Sequence, residues 1–254
     1  MTDPIAIDLS HHNTINSNAN PSRAKAAGLQ AVFHKATQGT GYTDPTYADR
    51  KAMALKYDMP FIAYHFLEHG NVTAQIDHFL EVADPVSGER VVIDYEENGC
   101  TLSDLREAVQ CLLDYDDSLQ VTVYSGHLIK DQLGSSRDAL LADNTSLWIA
   151  QYTSASSPSW PKGTWPTWTL WQYTDKGSLP GIDGPVDFNR FNGSDENAAK
   201  WFAPAGTAPQ PGPEPEPEPA PVTGAFSAYG HSVDVLIDKT MGVQVVVDGE
   251  QIVT

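Results

Sequence analysis

The sequence predicts an α/β chain: an irregular (β/α) barrel of eight strands, followed by a small all-β module. Three observations lead there. Short β-branched runs alternate with helical stretches through the first five strands, the rhythm of parallel βαβ units. The rhythm then breaks, and the last three strands follow one another without full crossover helices. Nearly every strand exit carries a polar or aromatic group, and the strand exits are where barrels of this kind build their sites.

The elements follow in order. Ala6–Ser10 is a short strand carrying Asp8, and Pro21–Gly28 a short helix closed by Gly28. Leu29–Lys35 is the second strand and runs into the Gly-rich loop Ala36–Gly41, which lacks the spacing of a phosphate-binding loop. Pro45–Tyr57 is helical, with Ala48, Ala52 and Leu55 at helical spacing. Pro60–Phe66 is the third strand, with Tyr64 and His65 at its exit. Asn71–Val82 is a helix capped by Asn71 or Thr73. Arg90–Asp94 is the fourth strand. Thr101–Asp114 is a helix capped by Thr101 or Ser103, with Leu105, Val109 and Leu112 on one face. Gln120–Tyr124 is the fifth strand, and His127–Leu133 a short helix. Leu147–Tyr152 and Thr169–Tyr173 are strands separated by a Pro- and Trp-rich loop, Ser154–Thr167. Val186–Asn189 is the eighth strand, and Asp195–Phe202 closes the domain as a helix.

This divides the chain into a barrel over 1–203, a Pro/Glu-rich linker over 204–222 and a β module over 223–254. Alternating Glu and Pro favours an extended polyproline II spacer. In the module, Val233, Val235 and Ile237 alternate with other residues, as do Val243, Val245 and Val247. Asp248-Gly249 signals a hairpin, and Gln251–Val253 returns as a third strand. About thirty residues bury too little to stand alone, so the module is expected to pair with copies of itself or with another surface.

Composition excludes several classes. A net charge of −18, from 33 acidic and 15 basic residues, argues against nucleic acid and anionic membranes. No stretch is apolar for long enough to span a bilayer. Met1–Ile5 lacks a basic n-region and an apolar h-region, so no signal peptide is expected. Two cysteines, Cys100 and Cys111, make no disulfide framework. His65-x-x-Glu68-His69 has the letters of an inverted zinc motif, but at a strand exit instead of on a long helix, so no metal or other cofactor is expected.

The chemistry centres on Val91-Val92-Ile93-Asp94-Tyr95-Glu96. Side chains two apart on a strand share a face, so Asp94 and Glu96 leave the strand together. With Asp8 and Asp187 they converge on one barrel mouth. Paired carboxylates in different environments divide into a proton donor and a charged stabiliser, as glycoside hydrolysis requires. Tyr64, Tyr124, Trp148, Tyr152, Trp171 and Tyr173 offer flat faces to sugar rings, with wall packing the rival role for Trp148 and Trp171. His65 and Gln151 stand at strand exits beside them.

These pieces resemble the glycoside hydrolase family 25 muramidases, lysozymes found among phage endolysins, bacterial autolysins and fungal secreted enzymes. The resemblance rests on Ile7–Ser10, Lys35–Gly39, Ala63–Phe66, Asp94–Glu96, Val123–Gly126, Trp148–Tyr152, Trp171–Tyr173 and Val186–Phe191, in that order over about residues 5–202. It implies a (β/α)5(β)3 barrel and cleavage of the β-1,4 bond between N-acetylmuramic acid and N-acetylglucosamine in peptidoglycan. It implies Glu96 as proton donor, Asp94 as partner carboxylate, Asp8 and Asp187 as supporting acids, and Tyr64 and Tyr124 as substrate contacts. It leaves open whether Asp94 attacks the sugar or steadies the substrate's acetamido group. It suggests a phage endolysin, held in the host cytoplasm and released to the wall. A non-catalytic glycan-binding protein and an oligomerising structural protein remain alternatives. One departure is His11-His12-Asn13 after the first motif, which alters one groove wall.

Overall fold

Apolar side chains at every second residue build two layers at once, one inside the barrel and one outside. The computed structural model describes residues 5–17, 19–203 and strand residues 222–228, 231–238, 242–247 and 250–253. In chain order, β1 is Ala6–Leu9, β2 Thr14–Ile15, α1 Pro21–Ala26, β3 Ala31–Gln38 and β4 Tyr42–Thr43. Next come α2 (Tyr47–Lys56), β5 (Phe61–Phe66), α3 (Val72–Ala83), β6 (Arg90–Asp94), α4 (Leu102–Tyr115) and β7 (Gln120–Ser125). The barrel ends with α5 (His127–Leu133), α6 (Ala139–Asn144), β8 (Thr145–Ala150), β9 (Leu170–Gly177), β10 (Ile182–Asp183), β11 (Val186–Phe191) and α7 (Asp195–Phe202).

The main sheet runs β1-β11-β9-β8-β7-β6-β5-β3-β4, and a β1–β3 pairing closes it. Setting aside β4, which only extends the edge of β3, eight strands form the closed barrel. All neighbours are parallel except β11, which is antiparallel to both β1 and β9. The reason is the connection. A parallel return needs a crossover of a dozen or more residues, and the short turn segment after Gly177 permits only a hairpin-like return. That segment contributes β10, which pairs with β2.

Inside the barrel lie Ala6, Ala31, Phe33, Ile62, Val92, Trp148 and Leu170, and Ala198 and Phe202 of α7 close the bottom. Outside, Val91, Ile93, Val121, Val123, Leu147 and Ile149 pack against Ile76, Phe79, Leu105, Val109 and Leu112 of α3 and α4. Thr101 caps α4 through a reciprocal box: its Oγ1 accepts from Asp104 N (3.3 Å), and Asp104 Oδ2 accepts from Thr101 N (2.7 Å). Asn71 precedes α3 in a left-handed conformation (φ 47°) and makes no side-chain cap bond. The Gly-rich segment is a hairpin turn: β3 continues through Gln38, which pairs with Tyr42.

The crossover from β8 to β9 has no helix. Tryptophans fill the space a helix would take. Trp165 and Trp168 are buried in the outer core beside Trp171, Trp165 Nε1 donates to Thr145 Oγ1 (3.1 Å), and Trp160 Nε1 donates to Trp165 O (3.0 Å). Gly163 lets this loop press onto the segment before α6, since a Cβ there would lie 2.0 Å from Ser135 O.

The chain divides into Met1–Thr207 and Ala208–Thr254. In the second unit, β12 (Val222–Ala228), β13 (His231–Asp238), β14 (Gly242–Val247) and β15 (Glu250–Val253) pair antiparallel in sequence order. β12 adds a strand beyond the expected three and starts at the last residue assigned to the linker. The rest of the 204–222 linker and the Asp248-Gly249 turn lie outside the described residues.

Because tryptophan packing stands in for a helix, Trp165→Ala should cost about 3–5 kcal/mol of unfolding free energy. Urea unfolding checks this; a loss under about 1 kcal/mol would show that the loop is not part of the core.

Candidate active site

β6 places its carboxylates by alternation. Val92 and Asp94 face inward, Val91, Ile93 and Tyr95 outward, and Glu96 returns inward past the strand end. Three bonds pin this exit: Leu67 N donates to Asp94 O (3.0 Å), Tyr95 N to Tyr124 O (2.8 Å), and Ser125 Oγ to Tyr95 O (2.5 Å). The Tyr95 hydroxyl is held on the outside by Gln132.

The mouth above is a cavity of about 100 Å³. Asp8, Asp94, Glu96 and Asp187 line it, with Tyr64, Tyr124 and Gln172 as walls and Trp148 and Val92 as floor. Asp94 is buried, and its Oδ1 makes no hydrogen bond among the described residues. Burial raises its carboxyl well above the ordinary range and the Glu96 charge adds to this, while Lys35 opposes it. Glu96 is open to solvent on one side but enclosed by protein on the others. Burial raises it too, Lys35 lowers it and Asp187 raises it.

Asp8 and Asp187 are register partners across β1 and β11. Gln172 Nε2 donates to both oxygens of Asp8 (3.0 and 3.2 Å), and Asn189 Nδ2 donates to Oδ2 (2.8 Å). Burial and then Asp187 push Asp8 up, while Asn189 and Gln172 pull against them. Asp187 is raised by burial and held down by its bond to Asp8. Two facing carboxyls with raised proton affinity titrate as a pair. Lys35 acts on Asp94 and Glu96 from beside this mouth; its Nζ donates to Gln38 Oε1 (2.9 Å) and lies 4.5 Å over the Phe66 ring.

The structure therefore brings together Asp8, Asp94, Glu96, Asp187, Tyr64, Tyr124 and Trp148. Trp148 is a buried floor residue whose Nε1 donates to Asn189 Oδ1 (2.7 Å). Three expected contacts fall elsewhere. His65 alternates with Tyr64 and so points outward, fully buried, between Thr37 Oγ1 (2.8 Å) and Gln75 Oε1 (3.3 Å); burial lowers it to about 4. Gln151 lies past the end of β8, and its Oε1 accepts from Lys130 Nζ (2.8 Å) and from Ser159 N and Oγ (both 2.9 Å). Tyr173 alternates with Gln172 and lies on the outer face near Trp171 and Phe188, 4.1 Å beneath Arg190. Trp171 is also an outer core residue. The sequence offers Gln172 as a strand-exit residue without a role, and the inward phase from Leu170 sets it in the mouth; Asn189 is not assigned to the site from sequence.

Among the described residues, no group of three or more His, Cys, Asp or Glu is arranged to hold a metal. His69 instead sets its Nδ1 3.0 Å from Asp104 Oδ2. A second cavity, of about 80 Å³, lies outside the barrel near α1 and α2. No carboxylate lines it, so it offers no acid–base chemistry, and the mouth is the candidate site.

Comparison with known proteins identifies the family. The model for "Glycosyl hydrolases family 25" matches residues 7–182. Lysozyme M1 of Streptomyces globisporus is 29% identical over 204 residues, 74% of this chain and 67% of that protein. The autolytic lysozyme of Clostridium acetobutylicum is 31% identical over 173 residues, 66% of this chain and 50% of that protein. The chain thus spans between about half and two thirds of those relatives. The crystal structure of the bacterial lysozyme from Streptomyces coelicolor superimposes with a TM-score of 0.67 at 29% identity, covering 80% of this chain and 97% of that one.

Asp94 carries a stability cost with a definite sign. Its proton is held more tightly in the folded chain than in the unfolded one, so folding loses free energy as pH climbs from about 4 through the raised value. Asp94→Asn removes that loss. Its melting temperature should exceed wild type by about 3 °C or more at pH 7, at about 2–4 °C per kcal/mol, and the gain should vanish near pH 3. A variant less stable than wild type at pH 7 would contradict the assignment.

Proposed function

The chain belongs to glycosyl hydrolases family 25, and from that premise we propose that it hydrolyses peptidoglycan as an N-acetylmuramidase. The bond is the β-1,4 link between N-acetylmuramic acid and N-acetylglucosamine. The observation that carries this reading is the pairing of a buried Asp94 with a solvent-reached Glu96 over an apolar floor. Glu96 protonates the leaving oxygen and then draws a proton from water. Asp94 faces the developing positive charge, and retention of configuration is expected. The Asp8–Asp187 pair adds negative charge beneath the ring, and Lys35 keeps the cluster from neutralising itself.

Raised carboxyls in different surroundings give a bell-shaped rate profile. Asp94 and Glu96 titrate as a coupled pair, and activity falls at low pH as the pair takes up its second proton. It falls at high pH as Glu96 loses the proton it must donate. Purified peptidoglycan digested by wild type should yield fragments with reducing-end muramic acid by mass spectrometry. Glu96→Gln should lower kcat by about a hundredfold or more. A flat profile would overturn the acid–base assignment; no fragments from wild type would leave a glycan-binding protein as the better reading.

We also propose a phage endolysin setting, with synthesis in the host cytoplasm and action on the wall after release. The wall-directed chemistry supports it. Expression in a bacterial host should lyse cells only when a pore-forming protein is co-expressed; lysis without one would count against the setting.

A further inference from the structure

Gln172 uses all of its polar capacity on the site. Its Oε1 accepts from the hydroxyls of Tyr124 and Tyr152, both at 2.9 Å. Its Nε2 donates to both oxygens of Asp8. The two tyrosines differ. Tyr124 is a buried wall residue, while Tyr152 is 53% exposed at the start of the helix-free crossover. That crossover is clasped at its base by Gln151 Oε1 on Ser159. A single buried amide therefore joins a surface phenol to a buried carboxyl of the mouth.

We propose that Gln172 is a positioning residue that fixes the Asp8 carboxyl and couples it to Tyr152, which contacts the incoming glycan. The argument rests on the muramidase reading only for the identity of that glycan. An amide N–H directed at a carboxylate favours its charged form. Two hydroxyls donating to the far end of the amide polarise it and strengthen those N–H donors. They also hold its orientation, because a flipped amide would set Oε1 against the Asp8 oxygens. When a sugar hydroxyl draws Tyr152 away, Gln172 loses one donor, and Asp8 feels the change across one side chain. Asn189 does not share this exposure: its Oδ1 is held by the buried Trp148 indole.

The other groups facing Asp8 are Asp187 of β11, Asp94 of β6, Tyr64 of β5 and Tyr124 of β7, together with Tyr152 itself. Lys35 of β3 acts on Asp94 and Glu96. None of the tyrosines changes charge in the acid range. Asp187 titrates with Asp8 as one pair and is unchanged in both variants, so a shift of the midpoint followed at Asp8 is assignable to the lost hydrogen bonds.

The test compares wild type, Gln172→Met and Tyr152→Phe. Carboxyl carbon NMR titration of the glycan-free protein should move the Asp8 midpoint to higher pH, by about half a pH unit or more in Gln172→Met and by less in Tyr152→Phe. On purified peptidoglycan, Gln172→Met should lower kcat by about ten- to a hundredfold and shift the acid limb of the profile upward, with KM changing by less than about threefold. Tyr152→Phe should raise KM by about three- to tenfold. An unmoved Asp8 midpoint in both variants overturns the proposal, as does a kcat loss with an unshifted acid limb, which is what simple structural damage gives. If Gln172→Met fails to fold, the exposed Tyr152→Phe site carries the test by its Asp8 midpoint. If wild type cuts no glycan while the midpoint still moves, the function fails and the coupling stands.

Discussion

The cost of keeping four carboxyls in one mouth shapes the rest of this barrel. Burial, like charges and a low-dielectric floor all push Asp8 and Asp94 toward their neutral forms. Their persistence there depends on compensation. For Asp8 it comes from Gln172 and Asn189. For Asp94 and Glu96 it comes from Lys35, and Asp94 Oδ1 makes no hydrogen bond among the described residues. An unpaired buried oxygen at the base of a cleft is a stability cost that folds retain where chemistry occurs.

The scaffold answers this cost with rigidity. The floor is aromatic and closely packed, with Phe33 and Tyr124 rings 4.3 and 4.6 Å from Trp148. The same Trp148 indole orients Asn189, which orients Asp8. Packing and electrostatics thus meet in one residue. Below, α7 plugs the barrel. Behind β6, α3 and α4 hold the strand, and the backbone bonds around Asp94 and Tyr95 fix where the two carboxylates emerge.

Much of this was legible in the sequence, for a local reason. Period-2 alternation in Val91–Glu96 places Asp94 and Glu96 on one face whatever else the fold does, and the βαβ rhythm places that face at a barrel mouth. The same alternation, applied strictly, excludes His65 once Tyr64 faces inward, and Tyr173 once Gln172 does. Reading every strand-exit residue as available ignored that phase. Non-local features were out of reach. The tryptophans between β8 and β9 look like exposed loop residues until the outer core is seen. The direction of β11 follows from a connection too short for a crossover. Gln172 gains its role from partners at positions 8, 124 and 152, which no spacing rule relates.

The central claim is that this mouth, and not the apolar cavity near α1 and α2, holds the scissile bond between Glu96 and Asp94. A crystal structure of Glu96→Gln with a bound peptidoglycan oligosaccharide tests it most directly. The account predicts the bridging oxygen within hydrogen-bond reach of residue 96, with the anomeric carbon of muramic acid above Asp94. A glycan seated elsewhere, or one whose bridging oxygen lies beyond reach of residue 96, would contradict it.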